Sequence, residues 1–179
     1  MPNWCDNYLT IRATKDKIDA IVAVLEKNDN DNGLLTHLRP EPNYDDPAFK
    51  VDPTYASEVN PEFRMPSWWD WRVQNWGTKW EISVRDWDRV SDTEVTLSFD
   101  SAWSPPTGVY NHVSNEYDIT AYYSETGCGF CGKFTSEDGD DCYQYDVSSL
   151  DSVMAVPEDI REFCGLLSEH ESYLEMEAE

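Results

Sequence analysis

The chain has 179 residues and a formal net charge of −23, from 36 Asp and Glu residues against 13 Lys and Arg residues. This excess of carboxylates repels nucleic-acid backbones and anionic membrane surfaces, because binding to both depends on Lys and Arg. Since 40% of the residues are hydrophobic, the composition excludes a disordered chain and predicts a single domain over residues 1–179.

The acidity is concentrated in the second half of the chain. Residues 90–179 hold 20 acids and only two bases, Lys133 and Arg161, whereas residues 1–89 have a net charge of −5. A surface with this sign attracts basic proteins and cations. We therefore expect a basic protein partner, without direct binding to nucleic acid or membrane.

Three features predict a cytoplasmic protein. No segment reaches the roughly 18 apolar residues of a membrane span. The first 20 residues include six charged side chains, so they contain no apolar core of a signal peptide. The five cysteines are an odd number, which favours reduced thiols in a cytosol.

The first predicted elements are a strand over Tyr8–Ala13 and a helix that begins after Thr14 as its N-cap. One face of this helix should be buried, because its apolar residues have the i, i+3, i+4, i+7 spacing of a helical stripe; they are Ile18, Ile21, Val22 and Leu25. The run of Asn and Asp over residues 28–33 ends this helix.

Residues 28–78 are predicted to form a packed insertion rich in aromatic residues and proline. Residues 34–74 lack periodicity, and a structureless loop this long is uncommon in a compact domain. Its prolines favour extended chain and turns. The aromatic residues that we expect to pack it are Tyr44, Phe49, Tyr55, Phe63, Trp68, Trp69 and Trp71.

Alternating strands are predicted after the insertion. One contains Trp80, Ile82 and Val84, and the next contains Val95, Leu97 and Phe99, with a turn around Ser91-Asp92. Ser104-Pro105-Pro106 suits a helix start, with Ser as the cap and Pro in the first turn. The core-facing residues of this helix should be Tyr110, Val113 and Tyr117, and the strand that follows contains Ile119, Ala121 and Tyr123.

The C-terminal region is predicted to contain a hairpin and one helix. The hairpin strands are Cys128–Phe134 and Cys142–Val147. A last helix should open at Pro157, with Ile160, Phe163 and Leu167 on one side. The acidic tail over residues 168–179 is expected to fray.

This order of elements predicts an α+β fold of the ferredoxin-like βαββαβ type. Its antiparallel sheet should carry the helices on one face. The long aromatic insertion, the C-terminal hairpin and the final helix are additions to that pattern.

Five collinear motifs carry a resemblance to a known family. They are Pro2-Asn3-Trp4-Cys5, Trp68–Trp71, Asn75-Trp76-Gly77-Thr78-Lys79-Trp80, Ala102-Trp103-Ser104-Pro105-Pro106, and Tyr123-Ser124-Glu125 leading to Gly129-Phe130-Cys131-Gly132. Together they resemble the YubB-type ferredoxin-like domain family of phages, plasmids and enterobacteria. The resemblance implies a ferredoxin-like fold and a mobile-element origin, and it implies no assigned activity or catalytic residue. The acidic C-terminal half departs from the family.

Aromatic residues around one lysine could line a ligand pocket, because pockets combine apolar walls with a few polar groups. Alternatively, the same side chains pack the insertion onto the sheet. The residues of this candidate pocket are Trp69, Trp71, Trp76, Lys79, Trp80 and Trp103.

The cysteines of the hairpin allow a structural, a metal-binding or a redox interpretation. Structural zinc needs four ligands, but Cys128, Cys131 and Cys142 offer three, and no histidine is near them in sequence. Glu137-Asp138-Gly139-Asp140-Asp141 lacks the full pattern of a calcium loop and suits a turn. We therefore expect neither a metal nor another cofactor.

No phosphate loop, nucleophile elbow or zinc-protease motif is present, so we do not expect an enzyme. The first hypothesis is an acidic protein-interaction module of a phage or mobile element that mimics DNA and inhibits a host nucleic-acid-binding or defence protein. One alternative is a binder of small ligands or signal molecules that uses the aromatic pocket. Another is an acidic surface that only aids solubility or adapts the protein to salt. The expected acidic surface contains Glu137, Asp138, Asp140, Asp141, Asp146, Asp151, Glu158 and Asp159.

Overall fold

The structure is a computed structural model that describes residues 3–27, 33–44 and 68–177. These ranges contain one six-stranded antiparallel sheet with the order β2-β3-β1-β4-β5-β6. The strands are β1 (Trp4–Arg12), β2 (Ser83–Ser91), β3 (Glu94–Ala102), β4 (Asp118–Glu125), β5 (Phe130–Thr135) and β6 (Gly139–Gln144). The described helices are α1 (Lys15–Lys27), α2 (Leu34–Leu38), α3 (Trp68–Trp76), α4 (Thr107–Val113), α5 (Leu150–Ala155), α6 (Glu158–Phe163) and α7 (Leu166–Glu177).

The predicted ferredoxin-like fold is confirmed. Strands β1 to β4 lie in the order β2-β3-β1-β4, with α1 between β1 and β2 in the chain and α4 between β3 and β4. The predicted hairpin forms β5 and β6 and extends the sheet beyond β4.

The main core lies between the sheet and α1, α2, α3 and α4. Successive side chains of a strand point to opposite faces, and Leu9 and Ile11 of β1 face this core. Ile18 and Ile21 of α1 pack there as the helical stripe predicted. Burial of each such side chain contributes about 1.5–3 kcal/mol.

A second, smaller core covers the opposite face of the sheet near β5. It contains Cys131 of β5, together with Val153, Ile160 and Leu166 from α5, α6 and α7. The helices of the βαββαβ unit therefore share one face, and the C-terminal helices are added to the other. On that second face, Tyr8 of β1 remains exposed.

Several predicted element bounds are wrong. The first strand begins at Trp4 rather than Tyr8, and the second hairpin strand is Gly139–Gln144 rather than Cys142–Val147. The second strand begins at Ser83, so Trp80 and Ile82 precede it. The backbone N–H of Ile82 donates to the Glu81 carboxylate at 3.1 Å. The helix predicted to follow a Ser104 cap begins at Thr107. Ser104 does not cap this helix, because its hydroxyl donates a hydrogen bond to the Gly77 carbonyl at 2.5 Å.

The insertion contains regular structure that its lack of periodicity did not predict. Helices α2 and α3 lie within it, and Leu34, Leu35, Leu38 and Trp76 belong to the main core. Phe49, Tyr55 and Phe63 lie outside the described residues, as does most of the Asn and Asp run over residues 28–33.

The C-terminal helix differs from its prediction. It is divided into α6 and α7 around Gly165, which has a left-handed φ of +66° that favours glycine. Phe163 and Leu167 are exposed, and Leu166 is buried in their place. The additional helix α5 was not predicted, and α7 runs to Glu177 through most of the tail that we expected to fray. None of the helices in the described ranges has the length and apolar run that a membrane span needs.

Candidate functional site

All eight carboxylates of the expected acidic surface are exposed. Glu137 and Asp138 lie in the turn between β5 and β6, and Asp140 and Asp141 lie in β6. The other four follow β6 or occupy the first turns of α5 and α6, namely Asp146, Asp151, Glu158 and Asp159. The acidic residues therefore surround the β6 edge of the sheet and the helices beside it.

A groove of about 140 Å³ brings Asp138, Asp141 and Asp159 together between β6 and the start of α6. Lys133 of β5 also lines it, and its ammonium lies 2.8 Å from the Asp159 carboxylate. Their hydrogen bond lowers the pKa of Asp159 and raises the pKa of Lys133. The positive charge in the groove is thus already paired, while Asp138 and Asp141 remain exposed.

Arg161 is the second base of the acidic half, and it is also engaged inside the protein. Its guanidinium donates to the carbonyl oxygens of Met154 at 3.3 Å and Val156 at 3.0 Å. These contacts hold α6 against the end of α5. Both bases of residues 90–177 therefore bind groups of the protein itself.

Asp140 lies on the sheet face opposite Asp141, because adjacent strand residues alternate. It accepts a hydrogen bond from the Tyr123 hydroxyl at 2.7 Å. Partial burial raises the pKa of Asp140, although the bond from Tyr123 opposes that shift. Gly132 leaves room for this contact, since a Cβ there would lie 2.3 Å from the Tyr123 oxygen. Asp140 is therefore separated from the groove.

Three other acids of the set have local structural roles. Asp146 accepts hydrogen bonds from both the backbone N–H and the hydroxyl of Ser148, which lower the pKa of Asp146. Asp151 and Glu158 lie in the first turns of their helices, where the helix dipole favours negative charge. Their negative charges remain exposed to solvent.

The predicted aromatic pocket is divided into an internal part and a surface part. Trp76 is 0% exposed, and its indole N–H donates to the Arg39 carbonyl at 2.9 Å. Trp71 packs against Trp76 with ring centroids 6.0 Å apart. The Arg72 guanidinium lies 4.6 Å from the Trp76 ring centroid. These residues pack the insertion against the sheet, and Trp69 beside them is half-buried.

The surface part is formed by Lys79, Trp80 and Trp103, and Trp4 joins it. The Lys79 ammonium lies 4.6 Å from the Trp80 ring centroid and 5.0 Å from that of Trp103. Trp4 and Trp80 have ring centroids 6.0 Å apart. Trp4 and Trp103 are 49% and 42% exposed, and Trp103 has a φ of +71°.

A second groove, which the sequence did not indicate, lies where α6 meets the exposed face of β1. Its volume is about 210 Å³, and Tyr8, Tyr122, Phe163 and Arg85 line it. The rings of Tyr122 and Phe163 stack at 4.1 Å. These residues are far apart in sequence, so only the spatial order of the strands brings them together.

Comparison with known protein families supports the ferredoxin-like fold and identifies no activity. Residues 79–159 match the family model described as the ferredoxin-like domain in Api92-like protein. This match runs from just before β2 into α6 and includes all eight acids of the surface and all the hairpin cysteines. The ferredoxin-like part of the resemblance seen in the motifs is confirmed, and the mobile-element origin stays a prediction.

A crystal structure of the protein api92 from Yersinia pseudotuberculosis is similar to 47% of the chain at 22% identity, with a TM-score of 0.37. The chain spans 32% of that protein. No curated protein matches the chain.

The hairpin cysteines do not converge on one point. Cys131 is buried, whereas Cys128 lies exposed in the turn before β5, and Cys142 is exposed in β6. Register places Cys142 on the sheet face opposite Cys131. In the part of the chain that the structure describes, no three His, Cys, Asp or Glu side chains are grouped so that they could hold a metal ion.

Proposed function

We propose that this protein is an acidic protein-interaction module of a phage or mobile element. Its partner is a basic nucleic-acid-binding or defence protein of the host, whose nucleic-acid site it occupies as a DNA mimic. The observation that supports this proposal is the acidic groove, where Asp138 and Asp141 are exposed while Lys133 is already paired with Asp159.

The physical basis is electrostatic. Exposed carboxylates attract the same Lys and Arg residues that bind phosphates, and their field extends about 8 Å at physiological salt. Charges of this kind act mainly on the rate of encounter. The proposal therefore concerns association more than residence time.

The experiment compares two doubly neutralised variants. E137Q/D141N removes two charges beside the acidic groove, and neither Glu137 nor Asp141 has a side-chain hydrogen bond or ion pair within the described ranges. Asp140 is left intact because it accepts the Tyr123 hydroxyl. The matched control, D86N/D88N, removes two exposed charges from β2 at the opposite edge of the sheet.

A partner would first be recovered from host lysate on the immobilised protein and then purified. We expect E137Q/D141N to slow its association several-fold, D86N/D88N to change it less, and double-stranded DNA to compete. Association should also slow steeply with added salt. The proposal would be overturned by a partner whose association rate changes neither with E137Q/D141N nor with the salt concentration.

One observation favours small-ligand binding as a second candidate. Lys79 lies between two Trp rings, and no ion pair involves it within the described ranges. A left-handed φ at a residue such as Trp103 costs about 1–3 kcal/mol and is often associated with function. A planar anionic ligand could stack on these rings beside the ammonium.

Titration with a nucleoside monophosphate tests this second candidate. The ligand should quench Trp fluorescence, and the variants K79A and W103A should each weaken binding without loss of fold. Unchanged fluorescence up to millimolar ligand would exclude this class of ligand.

A further inference from the structure

The two edges of the sheet differ in regularity. At one edge, β2 shifts its register against β3 twice, between Val84 and Asp86 and between Asp88 and Ser91. At the other edge, β6 pairs with β5 over six consecutive residue pairs without a shift. Irregularities of this kind are a common protection of edge strands against pairing with another chain. Strand β6 lacks that protection, and it contains no proline.

The outward-facing backbone groups of β6 can be identified from two contacts. The Tyr145 N–H donates to the Gly129 carbonyl at 2.7 Å, which continues the β5–β6 register. The Asp141 carbonyl oxygen is directed at β5, since a Cβ on Gly132 would lie 2.5 Å from it. In an antiparallel pair the hydrogen-bonded residues alternate. The backbone groups of Asp140, Cys142 and Gln144 therefore point away from the sheet.

These outward groups are accessible. The side chains of Asp140, Cys142 and Gln144 are exposed. Within the described ranges, their backbone N–H and C=O groups have no hydrogen-bond partner outside the β5–β6 ladder. An added strand could bind all three residues through both donors and acceptors.

We infer that the outer edge of β6 docks an extended basic segment of the partner, which joins the sheet as a seventh strand. This inference rests on the proposed function and specifies its binding mode. Peptides commonly bind to exposed sheet edges in this way, with affinity from main-chain bonds and specificity from alternate side chains.

The charges beside β6 select the occupant. Side chains of an added strand would lie about 5 Å from those of β6. They would meet Asp140 on one face of the sheet, and Asp141 with the rest of the acidic groove on the other. Lys or Arg is therefore favoured on both faces. A second copy of this chain would place β6 carboxylates against their own counterparts, so edge-to-edge self-association is disfavoured.

The probe for the test is a synthetic peptide of repeated Lys-Lys-Val-Val, which presents Lys on both faces of an extended strand, and its matched control carries an N-methyl group on every backbone nitrogen. Both peptides have the same charge, but the control lacks every backbone N–H donor, so it cannot donate to β6 from either edge. We expect the unmethylated peptide to bind at least tenfold more tightly. Amide hydrogen exchange at Asp140, Cys142 and Gln144 should slow in its presence. Equal binding of the two peptides, or no slowing at these amides, would overturn the inference.

A protein variant gives an independent test. Cys142→Pro removes one outward N–H and no bond to β5, and proline is tolerated on edge strands. We expect it to lose at least tenfold in affinity for the peptide, whereas Cys142→Ala retains binding. If Cys142→Pro does not fold, the comparison of the methylated and unmethylated peptides on the wild-type protein still tests strand addition.

The two levels of the proposal can fail separately. Binding that responds to salt and to E137Q/D141N, but equally for both peptides, would reject strand addition and retain the acidic function. Peptide binding that also ignores salt and E137Q/D141N would count against both.

Discussion

The Glu81 carboxylate accepts hydrogen bonds from both the backbone N–H and the hydroxyl of Thr36, each at 2.9 Å. Its other oxygen accepts the Leu35 N–H at 2.9 Å and the Ile82 N–H at 3.1 Å. One side chain therefore caps the start of α2 and fixes the chain that enters β2. The contact is close, because a Cβ on Gly33 would lie 2.6 Å from the Glu81 side chain.

Replacement of this capping carboxylate should destabilise the fold. Glu81→Ala leaves several partly buried N–H groups without an acceptor, and we expect a loss of about 1–3 kcal/mol in the free energy of unfolding. Urea unfolding measures it, with Asp86→Ala, an exposed acid of β2, as the control. Equal stability of the two variants would contradict the capping role.

Trp76 should behave as a packing residue. Because it is fully buried and its ring contacts Trp71, Trp76→Ala should cost about 3–5 kcal/mol. Trp4→Ala should cost clearly less, since Trp4 is half exposed. Denaturant unfolding of both variants checks the difference. Unchanged stability of Trp76→Ala with loss of a ligand or partner would instead mark a binding surface.

Asp140 gives a prediction for pH dependence. Because its pKa is raised in the folded protein, the folded state favours the protonated carboxyl. Acidification through that pKa should therefore stabilise the wild type relative to Asp140→Asn, whose amide can still accept the Tyr123 hydroxyl. Unfolding free energies of both proteins, measured between pH 7 and pH 3, test this. If acidification lowered the unfolding free energy of the wild type relative to that of the variant, the pKa of Asp140 would be lowered in the folded protein instead.

The cysteines should differ strongly in reactivity. Cys128 and Cys142 are exposed, whereas Cys5 is fully buried and burial raises its pKa to about 12. Since the thiolate is the reactive form, iodoacetamide at pH 8 should label the two exposed residues first. Mass spectrometry of digested protein measures the order of labelling. Early modification of Cys5 in folded protein would indicate local opening near the start of β1.

Metal content tests the expectation of a metal-free protein. Structural zinc binds tightly enough to survive purification without chelators. We expect fewer than about one zinc ion per two chains by elemental analysis. Stoichiometric zinc would require ligands beyond Cys128, Cys131 and Cys142.

The sequence predicted the elements that depend on local periodicity. The alternating pattern of β3 corresponds to a buried face with Val95, Leu97 and Phe99. The apolar stripe of α1 is likewise buried, at Ile18 and Ile21. Helix α2 was missed because its cap, Glu81, is contributed from a distant part of the chain. The division of the last helix was missed because Gly165 allows a turn that the apolar spacing does not reveal.

The candidate site was predicted in composition but not in arrangement. The exposure of the acids follows from their chemistry. The convergence of Asp138, Asp141 and Asp159 in one groove depends on how α6 packs on β5, which no local pattern contains. Pairing of Lys133 with Asp159 depends on the same packing.

The central position of β1 has a consequence for biosynthesis. Both of its neighbours come much later in the chain, since Leu9 pairs with Leu97 of β3 and with Ala121 of β4. At a translation rate of about 5–20 residues per second, β1 waits on the order of several seconds for its first partner. During that time its apolar residues and both backbone edges are open to other chains. The nascent protein should therefore depend on ribosome-associated chaperones more than its modest size suggests.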